Sequence, residues 1–212
     1  MGRWRMALAA LALTSLAACA SAGGASRLGP DDGRLRAVDG TPTALAATWA
    51  GHDATVLVFW ASTCPCVKRY EARVAALRDR YPADRVAFRY VASNADDDLA
   101  DLAAARAAGR EIVPFAQDPG GVLARTLGVV STPTAVVIDA AGAVRFRGWI
   151  DNERVPGDPD REPWLEEAVD ALLSGGSARA VTPFWGCTIT RSLGERPQCS
   201  APAPVAQRRC HP

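Results

Sequence analysis

Apolar positions follow two different spacings along the middle of this chain, and each spacing predicts a different element. Buried strands are predicted at the continuous apolar, β-prone runs 56–59 and 135–138, and at the alternating run 86–91. A helix is predicted directly after the first run, with apolar residues at Val67, Tyr70, Val74 and Leu77. Strands that alternate with helices in this way are typical of an α/β fold.

The flanking segments predict shorter elements around this centre. Short strands are predicted near 35–38, 112–115 and 144–149, and helices at about 120–127 and 164–173. Another helix is predicted to begin with Asn94 or Asp96 as its cap and to run to about Ala108, where Gly109 ends it. Acidic residues at 96–98 are expected in a first helical turn from the dipole alone, so they do not indicate a metal site.

A cysteine stands where the first predicted strand ends and the first predicted helix begins. Cys64 follows Phe59-Trp60-Ala61-Ser62-Thr63 and precedes Pro65 and Cys66. Unpaired backbone N–H groups and the positive end of the dipole at a helix N-terminus favour the thiolate over the thiol. Because the thiolate is the form that attacks disulfides, this position predicts a thiol redox site.

Two motifs together identify a family resemblance. The site residues 59–65 and the later run Gly-Val-Val-Ser-Thr-Pro-Thr at 128–134 resemble the thioredoxin-like superfamily, in particular its extracytoplasmic TlpA-like and redoxin-type thiol-disulfide oxidoreductases. The resemblance covers about 34–173 and implies a thioredoxin-like fold, with a central mixed sheet flanked by helices. It implies Cys64 as the nucleophile. It places substrate-facing residues at Thr132, a cis Pro133, Trp60 and Pro65.

The chain also departs from that family. The second cysteine of the usual Cys-x-x-Cys is replaced by Val67, and Cys66 follows Cys64 after one proline. One interpretation is a strained, easily reduced Cys64–Cys66 disulfide with Cys66 as the resolving thiol. The other is that Cys64 has its partner elsewhere and Cys66 fills a small apolar site. We favour the first, because Pro65 disfavours helix at Cys64 and frees its side chain.

A second departure concerns proton transfer. The family's buried carboxylate, two residues before the tryptophan, is replaced here by Val58, and no base is visible nearby in the sequence. Lys68 and Arg69 lie one turn into the helix, where they are expected to be solvated charges rather than modulators of a thiol.

The first residues predict export. Two arginines in 1–5, an apolar run at 7–16 and Leu16-Ala17-Ala18-Cys19 resemble a bacterial lipoprotein signal. This predicts a signal peptide at 1–18, lipidation of Cys19, a tether at 19–33 and a periplasm-facing, lipid-anchored protein, at the outer membrane of a Gram-negative cell. An ordinary signal peptide is the alternative. Either way, the domain is expected where disulfides persist.

The composition changes after the domain predicted at 34–175. A proline-containing tail at 176–212 carries Cys187, Cys199 and Cys210, and Pro183 to Ile189 resembles a Gly-Cys-x-Ile element of redoxin-type proteins. That resemblance suggests that the tail packs back onto the domain. A structural Cys199–Cys210 disulfide with Cys187 as partner for the active site is one assignment, and purely structural bridging is the other.

Charge and composition narrow the function. A net charge of +1 gives no sign of a nucleic-acid surface, and with only two histidines we predict neither a metal nor another cofactor. The expected activity is thiol-disulfide exchange with protein substrates and an extracytoplasmic electron donor or acceptor. The alternatives are a redoxin-type thiol peroxidase and a redox-inert module whose cysteines only staple the structure.

Overall fold

The computed structural model describes residues 26–29, 31–153, 157–183, 185–196 and 198–200, with the side chains of 199 and 200 excepted. The predicted lipidation at Cys19 and the predicted Cys199–Cys210 disulfide therefore lie outside the described side chains. Within the described ranges, no helix combines the length and the apolar character that crossing a bilayer requires.

One large sheet forms the centre of the fold. Its seven strands lie in the order β2-β1-β5-β4-β3-β7-β8. Their bounds are β1 Arg34–Arg36, β2 Pro42–Ala44, β3 Ala54–Trp60, β4 Val86–Ala92, β5 Phe115–Gln117, β7 Thr134–Asp139 and β8 Val144–Gly148. Strand β3 is parallel to β4 and antiparallel to β7, so the sheet is mixed, as the resemblance implied.

The described residues form four α-helices beside the sheet. They are α1 Pro65–Arg80, α2 Leu99–Ala107, α3 Val122–Thr126 and α4 Trp164–Leu173. The cap of α2 differs from our prediction of Asn94 or Asp96. Asp98 is the cap, because its carboxylate accepts from the Ala100 and Asp101 N–H groups while Asp101 returns the bond to the Asp98 N–H.

The core lies on both faces of the sheet, and β3 separates its two halves. All seven residues of β3 are buried. Val56, Val58 and Trp60 pack in the cluster that contains buried residues of α1 and α4, whereas Leu57 and Phe59 pack in the opposite cluster. Alternation along a strand buried on both faces produces the unbroken apolar run from which the strand was predicted.

The sequence predictions are confirmed for the long elements and less accurate for the short ones. The predicted strands 56–59, 86–91 and 135–138 each lie inside an observed strand. The strand predicted at 112–115 is found at 115–117 instead. The helix predicted over 120–127 spans only 122–126, because residues 119–121 form a tighter 3-10 turn in which Gly120 has a left-handed φ of 66°.

A second, three-stranded sheet was not predicted. It has the order β10-β9-β6, formed by β6 Ser131–Thr132, β9 Gly186–Thr188 and β10 Cys199–Ser200. Strand β9 pairs antiparallel to β6, with Cys187 opposite Thr132. These strands have two or three residues each, too few for any periodicity to identify them in the sequence.

A buried acidic residue fixes the orientation of α1. The side chain of Asp151 is fully buried after β8 and accepts from Arg73 Nη1 at 2.8 Å and from Tyr70 Oη at 3.0 Å, both on α1. Arg161 Nε lies 3.0 Å from the other carboxylate oxygen. Burial raises the pKa of Tyr70 to about 12, so its hydroxyl remains a donor. These contacts hold the helix whose N-cap residue is Cys64.

We expect Asp151→Asn to lower the free energy of unfolding by ~3 kcal/mol, because it removes the fully buried carboxylate that Arg73 and Arg161 share. Urea denaturation of this variant and of Asp84→Asn, at an exposed position, measures the effect. Equal stability of the two variants would show that the Asp151 cluster does not hold α1 in place.

Candidate active site

Cys64 lies at the start of α1, as the sequence predicted. It is the N-cap residue, with an extended backbone (φ −79°, ψ 114°), and Pro65 occupies the first helical position. Proline is favoured there because its missing N–H has no intrahelical partner to lose. The Cys64 side chain is a free thiol with no exposed surface. Its sulfur therefore lies in a dry environment beside unpaired helix N–H groups.

The loop before β7 covers this thiol from the other side. The Thr132–Pro133 peptide bond is cis, and the Cys64 Sγ donates to the Thr132 carbonyl oxygen at 3.4 Å. Both Thr132 and Pro133 are buried. The contact between Cys64 and the cis-proline loop is thus present. The carbonyl oxygen favours the neutral thiol, because it accepts the thiol's proton.

A third element brings a further cysteine to the site. Strand β9 places Cys187 opposite Thr132 on β6, 123 residues along the chain from Cys64 by the numbering. The sulfur atoms of Cys64, Cys66 and Cys187 all lie within 4.8 Å of one another, and all three residues are buried. Among the described residues, this is the cluster whose spacing would allow a metal ion, and three thiolates there would suit a soft one.

Cys66 is disulfide-bonded in this structure, and its partner is neither Cys64 nor Cys187. The Cys64–Cys66 disulfide that the spacing suggested is therefore not formed in this state. A sulfur already in a disulfide is not available as a metal ligand or as an attacking thiol until that bond is exchanged or reduced.

The surroundings of Cys64 lower its pKa from 9.0 to about 6. The largest cause is a hydrogen bond from the Cys187 side chain, which stabilises the thiolate. The backbone N–H groups of Val67 and Cys187 act in the same direction, whereas burial raises the pKa. Hydrogen bonding exceeds desolvation here, so most Cys64 is thiolate at neutral pH.

A cleft reaches Cys64 between the loop before α1, the 94–97 turn and β9. Asp97 lines this cleft and is buried, accepting from the Ser62 N–H at 3.0 Å and from Asn94 Nδ2 at 2.8 Å. Burial is the main cause that raises the pKa of Asp97. Sequence reasoning missed this residue because it is 33 residues from Cys64 and lies in an acidic run that a helix terminus already explained.

Buried polar contacts support the loop before Cys64. Arg110 donates from Nη1 to the Ser62 carbonyl at 2.8 Å and from Nη2 to Glu71 at 2.8 Å. Trp60 Nε1 also donates to Glu71, at 3.3 Å. Trp60 has no exposed surface, so its side chain supports the loop from below rather than facing a substrate. Pro65, the other residue expected to face a substrate, is half-buried.

The two cations of the first helical turns, Lys68 and Arg69, are exposed. Arg69 Nη2 donates to the Glu153 carbonyl at 3.4 Å, away from the Cys64 thiol. Neither is among the causes of the lowered Cys64 pKa. Hydrogen bonds near the sulfur, rather than these charges, set its ionisation.

Gly186 allows β9 to lie this close to the cis-proline loop. Its φ is +133°, and a Cβ added there would lie 2.1 Å from the Thr132 carbonyl oxygen. Any side chain at this position would therefore push β9 and Cys187 away from Cys64. The close approach of β9 to Thr132 thus explains why the Gly-Cys-x-Ile element has glycine at this position.

The sequence profile of the Redoxin family matches residues 25–160, which include Cys64 and the cis-proline loop. The chain belongs to the Redoxin family. The matched range ends before β9, so Cys187 lies outside it. No curated protein matches this redoxin.

Solved structures share the fold of this redoxin. An uncharacterized conserved protein from Geobacillus kaustophilus is 24% identical, with a TM-score of 0.68 over 81% of this chain and 94% of its own. A hypothetical protein from Sinorhizobium meliloti 1021 is 23% identical, with a TM-score of 0.67 over 81% and 96%. A thiol-disulfide oxidoreductase from Bacteroides fragilis NCTC 9343 is 17% identical, with a TM-score of 0.50 over 72% and 98%. At these identities the likeness shows the thioredoxin-like fold.

The ultraviolet absorbance of the Cys64 thiolate is expected to disappear as pH falls, with a midpoint of about 6. Titration of the full chain, corrected with Cys64→Ser, measures it. Cys187→Ala should move the midpoint toward 9.0, because it removes the main donor. Cys187→Ser, which keeps a hydroxyl donor, should move it less. A wild-type midpoint near 9 would show that these hydrogen bonds do not stabilise the Cys64 thiolate.

Proposed function

We propose that this redoxin is a thiol-disulfide oxidoreductase that exchanges disulfides with protein substrates through Cys64. The observation that carries the proposal is the thiol at the N-terminus of α1, with a pKa lowered to about 6, in contact with the cis-proline loop. A buried thiolate at neutral pH is poised for nucleophilic attack, whereas a cysteine that only stapled the structure would need no such ionisation.

The reaction begins when the Cys64 thiolate attacks one sulfur of a substrate disulfide. A mixed disulfide forms between Cys64 and the substrate, and the other substrate sulfur leaves as a thiolate. A second enzyme thiol then attacks the Cys64 sulfur and releases the reduced substrate. The spacing suggests Cys66 for this second step, and Cys187 also has its sulfur within 4.8 Å of Cys64. The reverse sequence oxidises a substrate dithiol.

Thr132 and Pro133 are proposed to face the substrate chain, as the family resemblance implies. The backbone edge of β6 at Thr132 is paired with β9 in this structure. A substrate strand can pair with that edge only after β9 withdraws, and Cys64 has no exposed surface until then. We therefore propose that β9 moves aside while a protein substrate is bound.

Asp97 is proposed to transfer protons during exchange, in place of the family carboxylate that Val58 replaces. The carboxyl lines the same cleft as Cys64 and Cys187, and burial raises its pKa toward the range useful for proton transfer. The hydrogen bond from the Ser62 N–H fixes one of its oxygens beside the loop that carries Cys64.

We further propose that the protein works outside the cytoplasm, anchored through a lipid on Cys19 and facing the periplasm. The sequence of residues 1–19 supports this location. Six cysteines in one chain, one of them disulfide-bonded in the described part, suit an oxidising compartment.

Cys64→Ser is expected to reduce insulin-disulfide reduction to the uncatalysed rate, because the attacking sulfur is lost. Lys68→Ala, at an exposed position on the same helix, serves as the control and should keep full activity. Peroxide consumption without insulin reduction in the wild-type chain would contradict the proposal and favour a thiol peroxidase.

Asp97→Asn should slow exchange on the order of 100-fold, because the amide can accept the Ser62 hydrogen bond but cannot carry a proton at neutral pH. The rise in rate that accompanies loss of the Asp97 proton should disappear from the pH profile. Asp96→Asn, at an exposed position on the same cleft, is the matched control. Identical pH profiles for the two variants would exclude Asp97 from proton transfer.

A further inference from the structure

The identity of the second thiol follows from which sulfur is available beside Cys64. Cys66 is already disulfide-bonded, so its sulfur cannot attack as a thiolate in this state. The Cys187 side chain is hydrogen-bonded to Cys64. The Cys64 and Cys187 sulfurs are within 4.8 Å, and an S–S bond is ~2.0 Å long, so at most ~2.8 Å separates them from bonding distance. Side-chain rotation with a small backbone shift covers such a gap.

Strand β9 is held at the site by Cys187 and by the three residues that follow it. The strand pairs with β6 through Cys187 and Thr188, and the next residue, Ile189, donates from its N–H to the Val130 carbonyl at 2.9 Å. Thr190 then donates from its N–H to Asn94 Oδ1 at 2.9 Å. Contacts to the cis-proline loop and to the 94–97 turn fix the thiol directly over the end of α1.

From these contacts we infer that Cys187, carried by β9, is the resolving thiol of this redoxin and forms a reversible disulfide with Cys64. The inference rests on the proposed function and names its second thiol. The Cys187 thiolate attacks the Cys64 sulfur of the mixed disulfide, the Cys64–Cys187 bond forms, and the substrate sulfur leaves as a thiolate. Two electrons have then passed from the enzyme dithiol to the substrate disulfide, and the proton that Cys187 loses is taken up by one of the departing substrate thiolates.

The role of β9 adds a consequence for the order of steps. The strand occupies the edge of β6 that a substrate strand would use, so Cys187 and the substrate compete for one position. Substrate binding moves Cys187 away while the mixed disulfide forms, and the return of β9 both displaces the substrate and delivers the resolving thiol. The arrangement couples resolution to substrate release.

The close approach of Gly186 provides a way to test delivery without removing a sulfur. A Cβ at Gly186 would meet the Thr132 carbonyl oxygen at 2.1 Å, so Gly186→Ala displaces β9 and leaves every cysteine in place. Gly194→Ala is the matched control in the same tail. Its φ is also positive, at +77°, but an added Cβ there meets nothing within 4 Å.

The experiment treats the fully reduced full chain with oxidised glutathione, stops the reaction with acid, and maps disulfides by mass spectrometry of non-reduced peptides. Wild-type protein, Cys66→Ser and Gly194→Ala are expected to form the Cys64–Cys187 disulfide. Cys187→Ser and Gly186→Ala are expected to retain glutathione on Cys64, with release slowed ~100-fold or more, because an intramolecular thiol no longer attacks.

Release at the wild-type rate from both Cys187→Ser and Gly186→Ala would overturn the inference, as would retention of glutathione in Cys66→Ser alone. The second result would assign resolution to Cys66 and leave the proposed function intact. If Cys64 of the wild-type chain neither binds glutathione nor becomes oxidised, the proposed function itself fails, and the assignment of Cys187 fails with it.

Discussion

The pairing of β9 with β6 is the interaction on which the site depends. It joins a segment near the end of the chain to the strand that leads into the cis-proline loop, and it places Cys187 beside Cys64. The main hydrogen bond that lowers the Cys64 pKa comes from this strand. Without this pairing, Cys64 would lose the strongest of the hydrogen bonds that stabilise its thiolate.

Buried polar side chains hold three parts of the site at fixed positions: α1, the loop before Cys64 and the segment after β9. Asp151 holds α1 through Tyr70 and Arg73, and Arg110 holds the loop before Cys64 through the Ser62 carbonyl. Asn94 holds the segment after β9. Each of these side chains is partly or wholly buried and hydrogen-bonded. A buried polar group that is hydrogen-bonded helps to fix one arrangement of the structure, whereas an unpaired one destabilises it. Such restraint suits a site in which the geometry of sulfur attack matters.

The sequence predicted the parts of this site that depend on local chemistry. A long apolar strand followed by a helical pattern was enough to locate Cys64 at a helix start, and the second motif located Pro133. Two features of the site could not be predicted from the sequence. The short strands β6, β9 and β10 have no detectable period, and Asp97 reaches the cleft through a turn whose direction depends on tertiary contacts. Adjacent aspartates in the run 96–98 have different roles, since Asp98 caps α2 whereas Asp97 is buried. Composition alone does not distinguish these roles.

The spacing of Cys64 and Cys66 was the most ambiguous signal in the chain. Neighbouring thiols in sequence suggested a bond between them, but Cys66 is bonded elsewhere in this structure, and the closest thiol partner of Cys64 comes from the tail. Proximity in the sequence therefore does not identify the partner of a cysteine when a distant strand packs against the end of its helix. In this redoxin, the tail contributes a residue, Cys187, to the cluster around Cys64.

The most direct test of the central claim is the reduction potential of the Cys64 thiol in the full chain, measured by equilibration with glutathione buffers and quantified for each cysteine by mass spectrometry. We expect Cys64 to pass between thiol and disulfide at a potential between about −270 and −120 mV, the range of known exchange enzymes. A Cys64 that stays reduced throughout that range, or that stays oxidised under strongly reducing conditions, would contradict it.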